Sequence, residues 1–186
     1  FYPGAMKFAH TLTIPQDKKI DFMVISPSTS RALTNFVNQC KQLNIPYMFD
    51  PGQQITEIPD HALLEGLTGA KIFIGNDYEY ELIKKRLGFT DKQFLQKAEV
   101  VIITLGEKGS LVKTKDKLVE IKVAKPQEVL DPTGAGDAYR AGFLAGYLKG
   151  LNLKVCGQMG ATCACYTVEK YGTTSHEFTI QEFCER

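Results

Sequence analysis

Apolar residues along the chain fall into short continuous runs, separated by stretches in which they recur every three or four positions. This is the signature of strands alternating with helices. The first run, DFMVIS from Asp21, ends at Pro27-Ser28-Thr29-Ser30, a turn that hands over to helix-capping residues. Leu33, Phe36, Val37, Cys40 and Leu43 then mark one face of a helix from Arg31 to Asn44, and Pro46 stands just beyond it. PYMFD predicts a second strand closed by Asp50-Pro51-Gly52, a weaker helix is expected from Pro59 to Gly66, and KIFIGN from Lys71 predicts a third strand. Helices are expected from Asp77 to Leu87 and from Asp91 to Ala98, before EVVIITL from Glu99, the most apolar run in the chain. Runs of this kind need cover on both faces, which predicts a parallel sheet between helices. Gly109 to Val112 and Leu118 to Val123 flank the polar Lys113 to Lys117 as a hairpin. Two long helices, Ala135 to Lys149 and Leu153 to Glu169, are separated by Gly150-Leu151-Asn152, and a loop from Tyr171 to Ser175 precedes a short C-terminal helix. No linker interrupts the pattern, so residues 1–186 read as one α/β domain.

Charge narrows the function. The 22 Lys and Arg against 21 Asp and Glu give a net +1, without the one-sign field that nucleic-acid binding uses. No secretory leader and no apolar run of about 18 residues is present, so a cytoplasmic protein with no membrane span is expected. The opening Phe1-Tyr2-Pro3-Gly4-Ala5-Met6 reads as a loop already under way, the cut edge of a longer protein. Cys40, Cys156, Cys163, Cys165 and Cys184 form an odd set without Cys-x-x-Cys pairing, which fits a reducing compartment and core packing rather than disulfides or zinc. His10, His61 and His176 are far apart in sequence and read as surface or loop residues.

The chemistry concentrates in Asp131-Pro132-Thr133-Gly134-Ala135-Gly136-Asp137. Two glycines one residue apart, where a loop becomes a helix, let the backbone bend sharply and aim several N–H groups in one direction. With the helix dipole behind them, those groups suit a phosphate. The plainer reading is a helix start with Asp137 favoured in its first turn. A carboxylate beside a bound phosphoryl group is repelled by it unless it has a task, and the usual task is to accept the proton of an attacking hydroxyl. Asp137 is the candidate base, suited to orienting the hydroxyl and taking its proton late.

The longer run DPTGAGDAYRAGFLAG resembles the C-terminal signature of the ribokinase-like (PfkB) family of carbohydrate and nucleoside kinases. The resemblance implies a ribokinase-like, mostly parallel sheet between helices, ATP and Mg2+ as cofactors, and a nucleoside or sugar as the small-molecule substrate. A monovalent cation is a further candidate cofactor, and a homodimer a candidate state of the whole protein. It assigns Asp137 as base and Gly134, Ala135 and Gly136 as the phosphate cradle. Asn76-Asp77-Tyr78-Glu79 is similar to the family's Asn-x-x-Glu motif and Thr104-Leu105-Gly106-Glu107-Lys108-Gly109 to its nucleotide loop. By resemblance Asn76 and Glu79 serve the magnesium and phosphate end, Glu79 as the metal-side carboxylate, and Thr104, Gly106 and Gly109 the nucleotide. The plainer readings are a helix cap and a glycine-rich hairpin turn. Ala161, Ala164, Tyr171 and Gly172 fall where the family wraps adenine, and Arg140, three residues after Asp137, is a candidate for phosphate or substrate, or for a surface ion pair.

Asp137-Ala138-Tyr139-Arg140-Ala141-Gly142-Phe143, Phe49-Asp50-Pro51-Gly52-Gln53-Gln54 and Val168-Glu169-Lys170-Tyr171-Gly172-Thr173 together look more like microbial adenosine or nucleoside kinases, adenosine kinases most of all, with ribokinase- or fructokinase-like sugar kinases as the alternative. The N-terminal strands and lid of the family are missing from the 186 residues, so a catalytically silent nucleotide-binding fragment stays open. The sequence lacks Gly-x-Gly-x-x-Gly after its first strand and the Gly-x4-Gly-Lys-Ser/Thr of Walker A, which disfavours a dinucleotide oxidoreductase and excludes a Walker A kinase.

Overall fold

The structure is a computed structural model in which residues 4–186 are described. They form two compact units, one built from the residues up to Ile103 with Lys113–Asp116, the other from Thr104–Val112 with Lys117–Arg186. The boundaries fall at strand ends and in a tight turn, where composition carries no linker signal.

In the first unit β1 (Met23–Ile25), α1 (Ser30–Gln42), β2 (Tyr47–Phe49), α2 (Asp60–Leu67), β3 (Ala70–Asn76), α3 (Asp77–Leu87), α4 (Asp91–Leu95) and β4 (Ala98–Thr104) follow the alternation expected. The strands lie side by side in chain order. β1 and β2 are parallel, as are β2 and β3, with Ile25 opposite Phe49 and Phe49 opposite Phe73. Met48, Phe49, Ile72, Phe73, Val101 and Ile102 are all buried, which explains why these strands read as continuous apolar runs. A Cβ on Gly66 would stand 2.4 Å from the Phe49 ring, so α2 lies against β2 at glycine distance.

Several expectations are corrected. Phe1, Tyr2 and Pro3 lie outside the described residues, but Gly4–Thr11 is a 3-10 helix rather than loop. The helix expected to reach Ala98 stops at Leu95, because Lys97 N–H turns back to Phe94 O and Ala98 begins β4. A 3-10 turn at Gly52–Thr56 had no periodic signal; it starts on Gly52 at φ 51°, where a Cβ would strike Pro27 at 2.3 Å. Leu43 is partly exposed in the C-cap of α1 rather than buried on its face.

Asp91 ties α4 to α3 and to Lys113. Its Oδ1 faces Lys84 Nζ at 2.6 Å and its Oδ2 faces Lys113 Nζ at 2.8 Å, and both ammonium groups lie about 5 Å from the centre of the Tyr80 ring. The hydrogen bonds from Lys113, then Lys84, hold the Asp91 carboxyl well below the usual carboxylate range. A pKa depressed by folding contributes stability that is complete above the unfolded carboxylate value of about 4 and is lost as pH falls from there through the folded value. The urea midpoint of Asp91→Asn is therefore expected below that of the parent at pH 7, with the gap narrowing below about pH 4. Equal midpoints at pH 7 would remove this role.

The second unit holds β5 (Ser110–Lys113) up to Val112, β6 (Leu118–Ile121), α5 (Ala135–Tyr147), α6 (Leu153–Val168) and α7 (Ile180–Glu185). β5 and β6 are neighbours joined by four residues, a link that only an antiparallel pair allows. α5 and α6 meet through small residues. A Cβ on Gly142 would stand 2.5 Å from Met159 O, and one on Gly160 2.8 Å from Tyr139 O. Backbone oxygens cannot step aside as a side-chain end can, so Gly142→Ala is expected to cost about 1–3 kcal/mol despite alanine's higher helix propensity. Thermal melting checks this, and an unchanged Tm would show that the helix pair can part.

Candidate functional site

The site lies within the second unit. Thr104 ends β4, and the chain then turns through Gly106–Lys108 with Leu105 N–H donating to Gly109 O at 2.8 Å. Gly109 sits at φ 90°, and a Cβ there would lie 2.1 Å from Ile121 O, so only glycine lets this turn close on β6. The plain hairpin turn and the nucleotide loop are the same piece of backbone.

Facing it is the start of α5. Gly134, the N-cap, has φ 84°, and a Cβ there would touch Thr173 at 3.0–3.1 Å. Ala138 N–H makes the first intrahelical bond, to Gly134 O at 2.9 Å. Of the three amides before it, that of Ala135 donates to Pro132 O at 3.2 Å. The amides of Gly136 and Asp137 have no carbonyl of their own helix to bond. Ala135 N–H thus closes the entry turn, and the N–H groups of Gly136 and Asp137 are first-turn amides without a helix carbonyl.

Between the Gly106 turn and α5 lies a cavity of about 630 Å³, within the range of small-molecule pockets. It brings together Thr104, Gly106, Gly109, Ala135, Gly136 and Ala161 of the sequence candidates, with Ala164. Residues that sequence reading missed form part of its wall: Val123, Ala124, Lys125, Pro126 and Val129, from the irregular stretch between β6 and α5. The available signal was that this stretch has neither helical nor alternating pattern, and long unpatterned connections inside a compact unit are usually functional. The lining also includes Tyr139, whose buried hydroxyl lies 2.7 Å from Ser110 Oγ; burial pushes that phenol up to about 12.

Among the described residues the lining does not include Gly134, Asp137, Arg140, Tyr171 or Gly172. Asp137 follows Gly136 directly and is exposed, ion-paired with the more shielded Arg140. Gly172 contributes through Asp131 instead. Asp131 Oδ1 accepts from Thr133 N–H at 2.9 Å and Oδ2 from Gly172 N–H at 3.1 Å, tying the Tyr171–Ser175 loop to the signature. The Thr133 hydroxyl first, then the Thr133 and Gly172 amides, hold the Asp131 carboxyl below its ordinary value. Tyr171 is exposed.

Asn76 and Glu79 belong to the first unit, where they form a capping box. Asn76 Oδ1 accepts from Glu79 N–H and Glu79 Oε2 from Asn76 N–H, both at 2.8 Å, and Glu79 is buried. The helix-cap reading of this motif is thus met in full.

The sequence over residues 14–179 matches the pfkB family carbohydrate kinase pattern. The chain belongs to the pfkB family. It is 41% identical over 138 residues to a nucleoside kinase of Methanocaldococcus jannaschii, covering 74% of this chain and 46% of that one. The crystal structure of the M. jannaschii nucleoside kinase superposes with a TM-score of 0.92 at 34% identity, over 99% of this chain and 61% of that one. The Burkholderia thailandensis nucleoside kinase in complex with ADP-inosine gives 0.94 at 26% identity, over 98% of this chain and 57% of that one. The fold is α/β and ribokinase-like, and the homology is to nucleoside kinases in general. This family member spans about half the length of the curated relatives it matches. No helix among its described residues is long and apolar enough to cross a membrane.

Proposed function

We propose that this chain is the ATP-binding and catalytic-base portion of a kinase that transfers the γ-phosphoryl group of ATP to a ribose hydroxyl of a nucleoside, adenosine-like in kind. The observation that carries this reading is a cavity lined by Gly136 in the first turn of α5, with Asp137 the next residue of the same turn. An apolar cavity suits a purine-sized base, and a helix start suits the phosphates attached to it. The acceptor oxygen attacks the γ-phosphorus, the bond to the β,γ-bridging oxygen breaks, ADP leaves, and Asp137 takes the hydroxyl proton. The amides of Gly136 and Asp137 steady the charge on the transferring group. Arg140 holds Asp137 in the resting arrangement and is near enough in sequence to turn toward a phosphate.

Magnesium would neutralise phosphate charge. That ion holds its waters and binds mainly through phosphates, so it asks few carboxylates of the protein; Glu79, by resemblance the metal-side carboxylate, spends Oε2 on the Asn76 N–H. The five free cysteines favour a cytoplasmic setting.

The identity to nucleoside kinases favours a nucleoside over a free sugar. The span of about half a relative favours a second reading for the isolated chain, nucleotide binding without turnover. Measuring ADP formation with a panel of nucleosides and sugars, on this chain and on the full gene product, separates them. Turnover with a nucleoside by the full product is expected; turnover with a sugar alone, or with none, would overturn the nucleoside assignment.

A further inference from the structure

The cavity wall between β6 and α5 belongs to no helix or strand, so something outside it must fix its position. Its anchors converge on the last turn of α6. Leu130 and Asp131 N–H both donate to Val168 O, at 2.8 and 3.2 Å, and Gln127 N–H donates to Glu169 Oε1 at 2.5 Å. Two anchors are backbone, whereas the third is a side chain that could swing away. Gln127 adjoins Pro126 and lies within two residues of Lys125 and Val129, all three lining the cavity.

Glu169 is itself held from behind. Arg186 grips it in a two-pronged bond, Nη1 to Oε2 at 2.7 Å and Nη2 to Oε1, with both side chains largely shielded from solvent. The guanidinium lies 4.5 Å from the centre of the Tyr166 ring, Tyr166 stacks on Phe178 at 4.7 Å, and Phe178 stacks on Phe183 at 5.3 Å. The C-terminal segment is thus laid along α6 by aromatic contacts and ends in the group that orients Glu169. Burial alone pushes the Glu169 carboxyl up; Arg186, Gln127 N–H and Lys170 outweigh it and hold the carboxyl below its ordinary range. Glu169 stays an ionised acceptor, which the bond to Gln127 needs.

We propose that Glu169 is a positioning residue for the cavity wall and that Arg186 fixes it, so that the C-terminal segment sets the grip on the base end of the bound nucleotide. The inference rests on the reading of the cavity as a nucleotide site. It separates the base end from the phosphate end: the wall carries Lys125, Pro126 and Val129, while the phosphate donors lie on α5, and the side-chain bonds of Glu169 go to Gln127 and Arg186.

The test is calorimetric binding of ADP and of inorganic tripolyphosphate to the full gene product and to its Arg186→Ala and Glu169→Gln variants. ADP affinity is expected to fall about five- to twentyfold in both, with tripolyphosphate affinity within about twofold of the parent. Arg186→Lys, which restores charge without the fork, should recover part of the loss. Should Arg186→Ala fail to fold, Glu169→Gln keeps the side-chain shape and reads the same selectivity. Equal weakening of both ligands, or unchanged ADP affinity, overturns the proposal. If the parent binds tripolyphosphate but not ADP, the nucleotide reading itself fails, and the proposal with it.

Discussion

Replacing Asp137 with asparagine is expected to lower phosphoryl transfer by the full gene product about 10²–10⁴-fold while leaving ADP affinity within about threefold. The separation follows from where the carboxylate sits. Asp137 does not line the cavity among the described residues, so its removal leaves the base end intact, and its N–H, the anion donor, survives the substitution. It supports little of the fold: its side chain is 69% exposed, and its partner Arg140 is only three residues away on the same helix. An ion pair of that kind is worth a few tenths of a kcal/mol. Tm should therefore hold while the rate collapses, because asparagine keeps the shape and cannot accept a proton. A coupled ADP assay beside calorimetric binding checks both halves. If the variant turned over at the parental rate, the proton would go elsewhere and the assignment of Asp137 would be wrong.

How much of this was legible in the sequence depends on the kind of force involved. The strands of the first unit announce themselves because Met48, Phe49, Ile72 and Phe73 are buried whichever way they point. The start of α5 was legible because Gly134 and Gly136 are poor helix interior residues and good helix entrances. The partner of each single N–H group was not legible. That Ala135 N–H is taken by Pro132 O depends on the φ of 84° at Gly134, a tertiary outcome set against Thr173. The wall from Val123 to Val129 was illegible for a different reason. It has no ladder of its own, and its shape is imposed by Val168 and Glu169, some 40 residues later in the chain. Asn76 and Glu79 show the reverse case, where local spacing alone specifies a capping box and leaves any metal role to ligand experiments.

Gly136→Ala is expected to leave the fold as stable as the parent or more so, and to weaken ADP and tripolyphosphate binding together by about 10–100-fold. Gly136 is a helical residue without a positive φ, and a Cβ placed on it would meet nothing within 4 Å. By helix propensity alone, alanine should gain up to about 1 kcal/mol there, so neither backbone strain nor protein packing explains the glycine. Gly136 lines the cavity, and its own N–H is one of the two amides left without a helix carbonyl. A phosphate that bonds those amides must come within about 3 Å of the backbone nitrogen, an approach that a Cβ obstructs. Losing one charge-assisted bond, worth about 1.5–3 kcal/mol, sets the scale of the loss. Because the damage falls at the phosphate end, tripolyphosphate should suffer as much as ADP, the opposite of the selectivity expected at Glu169 and Arg186. A Gly136→Ala protein that melts no lower than the parent yet binds both ligands normally would place the phosphates away from α5, and the reading of this helix start as the anion cradle would fall.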